Sequence, residues 1–197
     1  MFISQKLQKE NIAEYLLYMW QVEDLIRANG LDIDKLQESY LNRFKLEGKE
    51  ADAQREWYEN LIEMMRSEGV QEKGHLQINK SVITMLNDLH NELLKSPKHP
   101  YYSAAYYKAL PYIVELRNRS NTRDECEIEN CFDAMYGLMM LRLQGKPVSE
   151  DTKKAMEDIS RFLAMLADEC CSLGIALERH LVTALDQYVL SFFQIII

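Results

Sequence analysis

The stretch ENIAEYLLYMWQVEDLIR, Glu10 to Arg27, constrains the fold more than any other part of the chain. Wound as a helix at about 100° per residue, it spreads Ile12, Tyr15, Leu16, Met19, Trp20, Val22 and Ile26 over most of its circumference. Only a narrow strip near Glu14 and Gln21 is plainly polar. A helix that is apolar nearly all round must sit among neighbours on several sides, so the sequence predicts a helical bundle built around it. Near the centre of its apolar surface stands Glu23, with Arg27 one turn further on.

The rest of the chain has the same character. At 197 residues it suits one domain with a sizeable core. Seven glycines and four prolines are too few for a many-turned β architecture. Ser4 is a candidate N-cap for the first helix, and Asn29-Gly30 a left-handed exit from it. Asp32 or Asp34 then opens a short helix with Ile33, Leu36, Tyr40 and Phe44 on one face, ending near Gly48. From Lys49 to Glu68 the pattern is two-sided, with Trp57, Tyr58, Leu61, Ile62, Met64 and Met65 opposite Arg55, Glu59, Glu63 and Arg66.

After the polar link Gln71 to Gly74, a helix over Leu76 to Leu94 carries Asn79 and His90 inside its apolar arc. Ser96-Pro97-Lys98-His99-Pro100 is a strong loop signal. The tyrosine-rich run Tyr101 to Arg119 follows, with Pro111 predicting a kink or two abutting helices. Cys126 to Gln144 reads as a helix, and Ser149 as the cap of another that buries Ala155, Met156, Ile159, Phe162, Leu163 and Leu166. The expected result is an all-α, single-domain bundle of seven or eight helices around a central N-terminal helix. Residues 1–174 form its body. Residues 175–197 form a last helix and an uncharged tail, QYVLSFFQIII, that packs on the bundle or on a second copy.

Several function classes are disfavoured. A net charge of −8 without a basic patch argues against a grip on nucleic-acid backbones. There is no uncharged apolar run of about 18 residues, so no membrane span is expected. Nor does the N-terminus resemble a secretory signal. The four cysteines, Cys126, Cys131, Cys170 and Cys171, lack C-x-x-C spacing, which predicts reduced thiols and a cytoplasmic protein. Glu72-x-x-His75 matches the Glu-x-x-His spelling of di-iron bundles, yet it stands alone in a glycine-bearing link, so neither metal nor cofactor is expected. No strand-to-helix nucleophile elbow is present.

The polar residues on apolar faces are the informative ones: Glu23, Arg27, Asn79, His90 and Arg117. A buried charge must be paired and hydrogen-bonded. One reading is an internal network in which Glu23 answers Arg27 or Arg117. The other is a pocket in which Arg117, His90 and tyrosines among Tyr101, Tyr102, Tyr106, Tyr107 and Tyr112 hold a small anionic ligand. That gives Arg117, His90, Tyr106, Tyr102, Asn79, Glu23 and Arg27 as candidate binding residues.

Four stretches carry a family resemblance: Glu10 to Arg27, EWYENLIEMMRSEGVQEKGHLQINK (Glu56 to Lys80), SPKHPYYSAAYYKALPYIVELR (Ser96 to Arg117) and YGLMMLRLQGK (Tyr136 to Lys146). Over about Phe2 to Leu166 the chain resembles a bacterial family, domain of unknown function 4924. The resemblance implies no activity, cofactor or catalytic residue. The reading that results is a non-enzymatic interaction or regulatory module that self-associates, as a homodimer or with an unknown protein partner. The alternative is an anion-binding bundle or enzyme at the tyrosine-rich helix.

Overall fold

The computed structural model describes residues 2–119 and 126–172. Among them the secondary structure is helical, with no strand. The helices are α1 (Phe2–Glu10), α2 (Ile12–Ala28), α3 (Ile33–Ser39), α4 (Lys49–Ser67), α5 (Gln77–Lys95), α6 (Pro100–Arg119), α7 (Glu127–Leu143) and α8 (Glu150–Ser172), with a short 3-10 turn at Leu41–Phe44. No helix among the described residues is long and apolar enough to cross a membrane. The predicted last helix and the uncharged tail lie outside the described residues.

The chain gathers into two compact units. The first comprises Glu14–Val82 with the opening residues, and the second comprises Lys9–Ala13 with the described residues from Ile83 on. In the first unit the predicted apolar surface of α2 is buried: Tyr15, Leu16, Met19, Trp20, Val22 and Ile26 are all out of solvent, while Glu14 and Gln21 are exposed. The helix stops as expected. Leu31 N–H reaches back to Ile26 O at 3.0 Å across Gly30, whose φ of +66° a Cβ would oppose. Tyr58, Leu61, Ile62 and Met65 are the buried flank of α4.

In the second unit α6 and α8 run antiparallel. His99, just before α6, bonds Glu169 near the end of α8, and further along α6 Lys108 bonds Asp158 at 2.7 Å. Ser149 caps α8 by accepting from Thr152 N–H at 3.2 Å. Phe162, Leu163 and Leu166 are buried on α8, and Ile128, Cys131 and Phe132 on α7.

Four details differ from the sequence expectation. The first helix is two: Asn11 interrupts it, its Oδ1 accepting from Ala13 N–H at 3.1 Å as an N-cap of α2, and Ser4 lies inside α1. The short helix after Asp32 ends at Ser39, and Phe44 is 39% exposed instead of sharing Leu36's buried face. Third, α6 runs through Pro111 as one helix in place of two abutting ones. Pro111 and Tyr107, four residues back, are both exposed, and the Tyr107 carbonyl is the one that loses its helical donor. Fourth, the tyrosines of α6 divide by face, Tyr102 and Tyr106 being buried while Tyr101 and Tyr107 are exposed.

Leu16 has no exposed surface. Leu16→Ala therefore lowers the unfolding free energy by roughly 2–5 kcal/mol in urea melts. A loss under about 0.5 kcal/mol, the range of a surface change, would contradict the burial of α2.

Candidate functional site

The first polar cluster grows from the way α2 meets the start of α5. Trp20 and Glu23 stand three residues apart and so share a side of α2. Glu23 is buried. Its Oε1 accepts from Leu76 N–H at 2.9 Å and from Asn79 Nδ2 at 2.7 Å, and its Oε2 lies 2.6 Å from His75 Nδ1. A carboxylate only accepts, so the imidazole nitrogen facing it is the one that carries hydrogen. The same imidazole stacks on Trp20, with centroids 4.1 Å apart and planes 15° from parallel. His75 thus clamps two successive positions of one helix face.

The helix that begins here has no acid in its own first turn. Its free amides are met by acids from elsewhere in the unit: Leu76 N–H by Glu23, and Gln77 N–H by Glu68 Oε2 at 2.7 Å. Negative groups at a helix N-terminus complement both the unpaired N–H groups and the dipole. Arg27 fastens the link before it. Its Nη1 bonds Asp24 at 2.9 Å and its Nη2 bonds the carbonyls of Val70, at 3.2 Å, and Gly74.

The expected pairing of Glu23 with Arg27 or Arg117 is therefore corrected. Arg27 serves Asp24 and backbone carbonyls, Arg117 serves Glu127, and Glu23 is held by neutral donors and an imidazole. The signal missed in the sequence was His75, set aside with Glu72 as a weak metal motif. Glu72 is exposed, and among the described residues no group of three or more His, Cys, Asp or Glu side chains is placed to hold a metal ion.

The second cluster lies where α5, α6, α7 and α8 supply one side chain or more each. His90 Nδ1 lies 2.6 Å from Tyr102 Oη. The imidazole also meets Tyr106 and Phe162 edge-on, at centroid distances of 4.8 and 5.4 Å. Tyr106 Oη donates to Glu127 Oε2 at 2.8 Å, and Arg117 Nη1 donates to Glu127 Oε1 at 3.3 Å. Four predicted residues, His90, Tyr102, Tyr106 and Arg117, thus meet in one cluster, while Glu23 and Asn79 meet in the other. Glu127, which joins Arg117 to Tyr106, was not among the predicted residues. Its position as a first-turn acid of α7 was the available clue.

Burial sets the electrostatics of this cluster. It holds the His90 imidazole below the ordinary histidine range, against a smaller opposing pull from Glu127. Burial also raises the phenols of Tyr102 and Tyr106 far above the usual tyrosine value, with the Glu127 hydrogen bond and charge adding to the effect at Tyr106. These groups stay neutral near pH 7. All four cysteines are free. Burial pushes the Cys170 thiol up to about 11, raises Cys126 and Cys131 as well, and leaves no activated thiolate among the three.

The family described as Domain of unknown function (DUF4924) matches residues 1–172 of the chain. Comparison with curated proteins and with solved structures returns no match.

Two outcomes follow from this geometry. Glu23→Ala strands three donors in a buried place and lowers stability by roughly 3–5 kcal/mol. Glu23→Gln keeps an oxygen for Leu76 and Asn79 and loses less, so equal losses in denaturant melts would contradict the arrangement. The depressed imidazole gives a pH dependence of known sign. Below about pH 6.5 the unfolded chain takes up a proton that folded His90 refuses. Stability supplied by the neutral ring is present above that pH and declines as pH falls through the depressed folded value. His90→Gln removes this share of the slope, and an unchanged slope between about pH 7 and pH 5 would contradict the burial.

Proposed function

The chain belongs to the DUF4924 family, and we propose that it works as a non-enzymatic, self-associating interaction module, with the polar residues inside it serving structure. One observation carries the reading: the carboxylates at the centres of the two clusters are taken up by donors of the protein itself. Glu23 has three donors, and Glu127 takes both Tyr106 and Arg117. A substrate would have to displace buried partners whose loss is costly. Four free cysteines fit a reducing cytoplasm. Self-association draws support from the exposed apolar side chains Tyr101, Tyr107 and Val114 on α6 and Leu141 and Leu143 on α7, since exposed apolar surface marks contacts.

A second reading is favoured by one feature. The Arg117 side chain keeps 40% of its surface exposed beside Glu127, so a small anion competing with that carboxylate is the chemistry an alternative binding site would use. A thermal-shift panel of phosphate, sulfate, carboxylates and nucleotides separates the two readings. The structural reading predicts no shift with any anion, and a mass in light scattering above that of one chain. A shift that Arg117→Met abolishes, or a strict monomer at high concentration, would contradict it.

A further inference from the structure

The exposed apolar residues of α6 form a stripe. Ala104, Tyr107, Pro111 and Val114 recur at three- and four-residue spacing, so they share one face. All four are exposed, Tyr107 by 63% and Val114 by 47%. The opposite face of the helix, with Tyr102, Tyr106, Ala109 and Ile113, is buried in its own unit. Few soluble chains leave one side of a 20-residue helix this apolar without a partner for it.

We infer that this stripe is covered by the same stripe of a second copy, the two α6 helices lying antiparallel about a twofold axis at Pro111–Tyr112. The inference rests on the self-association proposed above and gives it a surface. Charge register identifies the partner. Lys108 and Glu115 lie along one flank of the stripe, equally far from that axis on either side. In a twofold antiparallel pair each flank meets itself reversed. Each Lys108 therefore faces Glu115 of the second copy, and the pairing occurs twice. Lys108 remains available for it: its side chain is 57% exposed while bonded to Asp158, and an ammonium has further hydrogens to donate.

A chain of net charge −8 repels its own copies at long range. Opposite charges placed symmetrically about the middle of an apolar stripe offset that repulsion locally and select the twofold arrangement. A foreign helix would have no use for such symmetry.

The test measures the mass of the full-length chain by light scattering and sedimentation over a concentration series. Wild type is expected to run as a dimer. Tyr107→Glu and Val114→Glu, each at an exposed position, are expected to raise the dimer dissociation constant by roughly tenfold or more with unchanged helical circular dichroism and melting. Glu115→Lys, which sets two lysines against each other, is expected to weaken the dimer, and Tyr107→Ser serves if a buried-interface glutamate perturbs folding. Phe192→Glu, in the uncharged tail, is expected to leave the dimer intact. A dimer that survives both stripe variants overturns the inference and leaves self-association standing. So does one broken by Phe192→Glu alone, which assigns the contact to the tail. A monomeric wild type overturns the self-association as well.

Discussion

The first unit depends on one buried carboxylate. Glu23 sits in the middle of the most apolar helix of the chain, where an unpaired charge would be prohibitive. It is tolerated because the start of α5 needs what it offers. Leu76 brings an amide with no side-chain cap, Asn79 brings an amide group, and His75 brings a ring that also covers Trp20. Each group would be costly alone, and together they answer the Glu23 carboxylate and the amide at the helix start. The arrangement also fixes the register of α2 against α5, since moving α5 by one residue takes Leu76 and Asn79 away from the same oxygen.

The second unit repeats the logic with different chemistry. Glu127 opens α7, where a negative group is favoured, and from there reaches Tyr106 and Arg117 on α6. His90 is paired to Tyr102 and enclosed by Tyr106 and Phe162. In both places an acid associated with one helix end answers donors from another helix. Such clusters specify which helices meet.

How much of this was legible beforehand depends on the range of the interaction. The burial of α2, the two-sided face of α4 and the buried stripe of α8 followed from helical periodicity, a local property of neighbouring residues. So did the division of α6, in principle: Tyr102 and Tyr106 are four apart and go inward, whereas Tyr101 and Tyr107 fall on other faces. The break at Asn11 was hidden because apolar periodicity continues through it, although Asn is a favoured N-cap. Glu23's partners were not legible. Arg27, one turn away, was the nearest opposite charge in sequence, but the donors that reach the carboxylate lie more than fifty residues on, in and after a glycine-bearing link. The continuity of α6 through Pro111 shows the same limit, since whether a proline breaks a helix or is carried through it depends on what surrounds it.

The joint between α2 and the start of α5 turns on the Leu76 amide. First-turn amides of a helix have no intrahelical acceptor and exchange quickly with solvent when nothing else holds them. Native-state hydrogen exchange followed by NMR reads that amide directly. If Glu23 anchors α5 to α2, the Leu76 amide exchanges only through the opening that frees the α2 core, with the protection of the Leu16 and Met19 amides. Exchange of Leu76 orders of magnitude faster than theirs would show that the buried carboxylate does not hold the helix start, and the account would fail at its centre.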